Sequence, residues 1–275
     1  MSRSKKINKK IKTYNYILIC LLVVISLILL MFLMESVFFR PYYLTESREK
    51  NITKSKKSDA KDYETIGWVR VQGTNIDYPV YGAIKNTFQY PVNDKSFTWT
   101  LNEDTDFHNV MMVYGHNIMN LGPKPKMHDE TFTKMEELMD FVYYDFAKDN
   151  KYIQLSINGN DYLYKVFSVA FIDVGYYNEY PEGEFSQEAK DLYIKDMKEK
   201  SIYDYNVKVP DDSKILSVVT CTRFFDDDIN YDFIVTGKLV NKGERANNYK
   251  VTKNDNYKKI EKILKGSDED EESDA

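Results

Sequence analysis

The sequence predicts a mainly β fold with helical insertions, of the α+β kind, in which about seven or eight strands close into a barrel behind one N-terminal membrane helix. Three observations predict it. Short apolar, β-branched segments separated by turn residues recur from Trp68 to Val240, helical spacing is confined to two or three insertions, and one long uncharged run stands near the N-terminus.

That run sets the topology. Residues 1–14 carry Arg3, Lys5, Lys6, Lys9, Lys10 and Lys12 with no acidic residue, and Ile17 to Met34 is uncharged, broken only by Cys20 and Ser26. Eighteen residues is about the minimum for a membrane span, and Tyr14, Tyr16, Phe38 and Phe39 supply aromatic edges. A cleaved signal peptide would have a shorter apolar region and a small-residue cleavage site, whereas Glu35-Ser36-Val37-Phe38-Phe39-Arg40 follows. The expectation is an uncleaved anchor over residues 15–38 with the basic end inside, so that the chain beyond it is extracellular. Residues 39–61, polar and without periodicity, read as a stalk.

The folded domain is expected over residues 62–241. Trp68-Val69-Arg70-Val71 alternates as a strand, Gly73-Thr74-Asn75 turns, and Ile76-Asp77-Tyr78-Pro79-Val80 returns, with Pro79 placing it at a sheet edge. Asn109 to Tyr114 is a further strand ending at Gly115-His116-Asn117. Thr133-Lys134-Met135-Glu136 reads as a capping box opening a helix with Met135, Leu138, Met139 and Val142 on one face. Tyr152–Ile157 and Tyr162–Val174 form a hairpin around Asn158-Gly159-Asn160. Residues 186–200 are helical, with Leu192, Tyr193 and Met197 on one face. Ile215 to Thr222 and Phe233 to Val240 are the last two strands. Residues 242–275 read as an extension ending in an acidic, solvated tail, Asp268 to Asp274.

Composition narrows the function. The six basic residues of the leader and six acidic residues of the tail cancel, leaving the net charge of −5 on the body of the chain. No basic stripe suggests nucleic acid. Two cysteines and three histidines are too few for a Cys-rich structural zinc site. Cys20 lies in the span and Cys221 in the external domain, so no disulfide joins them. An odd thiol outside the cytoplasm pairs with another molecule or reacts.

Cys221 ends the run Ile215-Leu216-Ser217-Val218-Val219-Thr220-Cys221, where it is either a small core residue or a nucleophile on a rigid platform. Of the histidines, His108 lies in a polar loop and His128 just before a helix start, both compatible with mere solvation. His116 ends a strand after Gly115, where the chain can turn and present an imidazole that stabilises a thiolate and later protonates a leaving amine.

Tyr114-Gly115-His116-Asn117, followed by Leu216-Ser217-Val218-Val219-Thr220-Cys221, resembles the sortases. Gly67-Trp68 with Gly73-Thr74-Asn75-Ile76-Asp77-Tyr78-Pro79-Val80, and the long insertion ending at Lys200-Ser201, are similar to the class B branch. The resemblance implies an eight-stranded sortase barrel and a cysteine transpeptidase of a Gram-positive cell surface, needing no cofactor. Cys221 would attack the Thr carbonyl of a sorting signal related to Asn-Pro-x-Thr, and His116 would protonate the departing amine. A peptidoglycan or lipid-linked precursor amine would then resolve the thioacyl enzyme. Thr220, Asn86 and Tyr180 resemble substrate-contacting residues by position.

One position departs from the family. Where it has an Arg before the last apolar strand, this chain has Asp232, in Tyr231-Asp232-Phe233-Ile234-Val235. A carboxylate would repel the charge that an Arg stabilises. Between residues 62 and 241 the guanidiniums are Arg70 and Arg223. If the strand continues past the nucleophile, residues 221 and 223 share a face, so Arg223 either replaces the missing Arg or is a solvated loop residue beside Asp226, Asp227 and Asp228. Val219 also stands where the class tends to have Ser. The expected activity is therefore that of a transpeptidase, with a degenerate peptide-binding module and a secreted cysteine peptidase as alternatives.

Overall fold

The computed structural model describes residues 2–34, 65–82, 98–99, 107–157, 160–173, 184–225, 231–241, 244 and 249–266. The stalk, Asn86, Tyr180, Asp226 to Asp228, the hairpin turn at 158–159 and the acidic tail lie outside the described residues. The chain divides into two units, Met1–Tyr43 with Gly243–Asn247, and Leu44–Lys242 with Asn248–Ala275. The first holds helix α1 (Ser2–Met34). Within it Lys12–Met31, 20 residues of mean hydropathy 2.6, is long and apolar enough to cross a membrane.

The second unit is a closed barrel of eight strands: β1 (Thr65–Val71), β2 (Asp77–Tyr81), β3 (Thr98–Trp99), β4 (Val110–Gly115), β5 (Tyr152–Ile157), β6 (Asn160–Asp173), β8 (Ile215–Thr222) and β9 (Tyr231–Leu239). Around the barrel the order is β1-β2-β3-β4-β8-β9-β6-β5, and β5 closes it on β1 through Gly67↔Ile157 to Val71↔Ile153. The expected strands are all present. Closure removes the free edges that would template aggregation, and it corrects one expectation. The strand bearing Pro79 is internal, paired Trp68↔Pro79 on one side, with β3 joining only at Val80 and Tyr81 on the other. The missing proline N–H therefore falls where the second ladder has not begun.

Both faces of the β8 region are covered, which is why Ile215 to Thr222 reads as a continuous apolar run rather than an alternating one. Leu216, Val218, Phe233 and Val235 pack into the larger core with Val69, Val71, Val113 and Leu155. Ile215, Val219 and Ile234 pack on the other face with Val110, Phe167, Ala170 and Ile172, beneath helix α3 (Gln187–Lys200). Ser186 caps α3 by accepting from the Ala189 N–H, and Tyr193 and Met197 are its fully buried contacts. The buried Tyr193 hydroxyl bonds Ser217 Oγ at 2.5 Å, which in turn bonds Thr236 Oγ1 at 3.0 Å, so the polar atoms under α3 satisfy one another.

The segment after β4 differs from expectation. Met135–Val142 is a 3₁₀ helix, capped by the extended Lys134 without a side-chain bond, and followed by the short α2 (Tyr144–Asp149). Glu136 Oε2 accepts from the Lys134 N–H at 2.8 Å, so the capping-box carboxylate is used two residues back and Thr133 does not cap. The apolar set Met135, Leu138, Met139 and Val142 is buried as its spacing implied. Residues 249–266 extend the unit beyond the expected end at 241. Strand β10 (Thr252–Lys253) pairs with β7 (Tyr203–Asp204), and helix α4 (Asp255–Lys265) seats Tyr257 and Ile260 in the larger core.

Candidate active site

Parallel pairing of β4 with β8 builds the site. The ladder runs Val110↔Ile215 through Tyr114↔Val219, and His116 and Cys221 each lie two residues beyond its last pair. On the other side β8 pairs antiparallel with β9, with Val219↔Ile234 and Cys221↔Asp232. By the period-two rule Cys221 shares the face of Val219, and Asp232 that of Ile234, which both lie on the α3 side of the sheet. Cys221 and Asp232 are therefore cross-strand neighbours on one face, and His116 follows the end of the adjacent strand β4 at the same end of the ladder.

The chain holds the His116 and Cys221 segments in place with backbone bonds. Thr220 Oγ1 donates to the Gly115 carbonyl at 2.7 Å, Thr222 Oγ1 to Leu121 at 2.9 Å, and the Cys221 thiol lies 3.5 Å from the Asn117 carbonyl. The His116 carbonyl accepts from the Met135 N–H at 2.9 Å. Asn117 and Asn120, both buried, close the turn after His116. Asn117 Nδ2 donates to the Asn120 carbonyl, and Asn120 binds Lys126 and the Glu136 carbonyl. Gly115 is required by contact, because a Cβ there would stand 2.2 Å from the buried Met135 Cγ. We expect Gly115→Ala to lower stability by about 1–3 kcal/mol and to displace His116, both read from thermal melts and turnover of one preparation.

Electrostatics leave the pair neutral at rest. Burial pushes the Cys221 thiol up, aided by the Asp232 carboxylate. The Asn117 backbone contact and the Arg223 guanidinium pull it down less strongly. Burial also pushes the His116 imidazole down, and the Lys134 ammonium adds to this. The thiolate–imidazolium pair is thus a minor form at neutral pH, which predicts a bell-shaped dependence of kcat/KM on pH. Asp232 is pushed up to about 7 by burial.

The other anticipated residues fall as follows. Arg223 follows the end of β8, exposed, with its backbone N–H donating to the Leu121 carbonyl at 2.9 Å, and its charge reaches the sulfur. Thr220 is buried and spends its hydroxyl on Gly115, bracing the strand that leads to His116. Asn86 and Tyr180 lie outside the described residues. His108 is not solvated as expected: it is buried, with Nδ1 3.2 Å from Glu184 Oε2, because the turn before β4 tucks under the start of α3. Asn117 and Asn120 were missed. Their only signal was an Asn directly after the strand-end histidine.

No family model matches the chain. Among curated proteins it is 23% identical over 217 residues to sortase B of Listeria monocytogenes, covering 73% of this chain and 81% of that one. Among solved structures it is similar to Clostridium perfringens sortase B, with a TM-score of 0.55 at 24% identity over 70% of this chain and all of the other. A Staphylococcus aureus sortase B–substrate complex gives a TM-score of 0.53 at 20% identity, covering 76% and 90%. Barrel order, the strand-end thiol and these likenesses agree: the chain has the class B sortase fold, and its sequence resemblance is to that class.

Proposed function

We propose that this protein is a membrane-anchored cysteine transpeptidase that cleaves a sorting signal of secreted proteins and joins them to a cell-wall amine. The observation that carries the reading is the Cys221 thiol near the end of β8, with His116 following the end of the strand β4 that pairs with it. A binding module needs neither an imidazole nor a thiol there.

In this reading the Cys221 proton passes to His116 as sulfur attacks the scissile carbonyl, giving a tetrahedral oxyanion. Collapse breaks the C–N bond, His116 returns the proton to the leaving amine, and a thioester remains on Cys221. An acceptor amine then attacks the thioester, giving up its proton to His116, and the thiol is restored. Arg223 supplies the positive charge for the oxyanion from the β8 end. The substrate is an Asn-Pro-x-Thr-like peptide, and a sortase B relative solved with its substrate supports a peptide ligand. Asn86, Tyr180 and Thr220 line or brace its groove. The acceptor is a peptidoglycan or lipid-linked precursor amine. The basic leader and apolar α1 anchor the enzyme with its N-terminus in the cytoplasm and the barrel outside a Gram-positive cell. Full-length protein in detergent, given quenched fluorescent peptides with and without a glycine-type amine, tests this. Amine-adduct formation supports transpeptidation, and hydrolysis alone makes it a peptidase.

Asp232 favours a second reading, a sortase-like module that binds peptides with lost turnover, because its charge opposes both the thiolate and the oxyanion. The two readings part on pH. Below about 6 Asp232 is protonated and harmless; as pH rises through about 7 it ionises. We expect Asp232→Asn to match wild type at low pH and to exceed it several-fold above pH ~8, as measured by kcat/KM profiles of both proteins. Equal profiles at every pH would separate Asp232 from the chemistry.

A further inference from the structure

The 3₁₀ helix Met135–Val142 carries three acidic residues, Glu136, Glu137 and Asp140, none more than 1% exposed. Glu137 is oriented by Asn75, whose N–H and Nδ2 donate to its two oxygens at 2.6 and 2.7 Å. Asp140 is different. Its side chain is fully buried, and among the described residues neither carboxylate oxygen has a partner in hydrogen-bond geometry, the His128 backbone N–H only opposing in part the upward push of burial. Nδ1 of His128 stands 3.2 Å from Oδ2, outside hydrogen-bond geometry. His128 sits in the loop before the helix at φ 50°, with its side chain 52% exposed. One His128 ring nitrogen, one Glu137 oxygen and one Asp140 oxygen all lie within 4.8 Å of one another.

Two carboxylates this close inside a protein repel, and each lone pair left without a donor costs free energy on burial. Something positive is needed between them. A proton on Asp140 is one candidate, and the direction of its shift, upward by burial and by Glu137, allows it. A proton, however, satisfies one oxygen and gives the His128 nitrogen no role. We propose that His128, Glu137 and Asp140 hold a divalent transition-metal ion of the Zn²⁺ or Mn²⁺ class, with water completing its coordination. The donor set of one imidazole nitrogen and two carboxylate oxygens suits those ions and disfavours Ca²⁺ and Mg²⁺, which prefer oxygen ligands throughout. Asn75 is the outer partner that fixes the Glu137 carboxylate, as ligands of metal sites usually require. Ligand atoms around such an ion stand closer together than 4.8 Å, and the half-exposed His128 is the side chain able to close that gap. None of the three is His116, Cys221 or Asp232. The role is structural: the ion ties the loop after His116 to the helix whose first N–H, on Met135, holds the His116 carbonyl. The proposal stands whether or not the protein is a transpeptidase.

The test uses full-length protein in detergent, stripped with a chelator, in a Cys221→Ala background so that the active-site thiol cannot bind zinc. Calorimetric titration with ZnCl₂ and MnCl₂ should give one site, with CaCl₂ at least tenfold weaker, and the metal should raise the melting temperature. Adding His128→Ala, a change at an exposed side chain, should weaken binding at least tenfold and abolish the thermal shift. Asp140→Asn should do the same. Absence of binding, or binding that His128→Ala and Asp140→Asn leave unchanged, would overturn the site and assign a proton to Asp140.

Discussion

Cys221→Ala will show no measurable turnover while keeping the fold and peptide binding, a loss on the order of 10⁴- to 10⁶-fold for a nucleophile that nothing replaces. The substitution falls at the end of β8, where the side chain is only partly buried and its polar contact among the described residues is the 3.5 Å approach to Asn117. The barrel therefore has no need of the sulfur. His116→Ala should cost roughly 10²- to 10⁴-fold, the usual worth of a positioned acid–base group. Its loss should also remove one limb of the bell-shaped pH profile. Stopped assays with a fluorescent peptide and circular dichroism of the same samples separate chemistry from folding. A His116→Ala protein that turns over like wild type, with its profile intact, would place the acid–base elsewhere.

The second large effect is at Arg223. With a carboxyl at the neighbouring β9 position, this guanidinium is the described cation whose pull is felt at Cys221 besides the backbone contact. If it stabilises the oxyanion, Arg223→Ala should lower kcat by about 10²- to 10³-fold with little change in KM, as for removal of one oxyanion donor. Arg223→Lys should recover only part, because an ammonium lacks the planar fork. The double variant Arg223→Ala with Asp232→Arg restores a guanidinium from the other strand and should regain activity that the single variant lost. Wild-type kcat for Arg223→Ala would leave it a solvated loop residue.

Much of this site is legible in the sequence because it sits at strand ends. Runs such as Val110 to Tyr114 and Ile215 to Thr220 are fixed by burial on both faces, with Cys221 the next strand residue after one and His116 two residues past the other. Asp232 was legible for the same reason, one strand over. Where tertiary context decides, the sequence misleads. Thr133-Lys134-Met135-Glu136 has the pattern of a capping box, yet Glu136 turns to the Lys134 N–H and a 3₁₀ helix begins. The C-terminal helix carried its own signal in Asn254, which caps the Tyr257 N–H, and in Tyr257 and Ile260 three apart. That helix lies beyond residues 62–241, the stretch the resemblance covers, so the expected domain ends short of it. His108 misled because its partner, Glu184, is remote in sequence, and no local pattern predicts such a pair.

The most direct measurement is the intact mass of the full-length protein after brief exposure to a sorting peptide without amine, quenched in acid. The account predicts a mass increase equal to the peptide fragment N-terminal to the cleaved bond, mapped to Cys221, absent in Cys221→Ala and discharged by added amine. A protein that binds the peptide but gains no mass at any pH between about 5 and 9, on either side of the Asp232 ionisation near 7, would contradict it and leave the degenerate module.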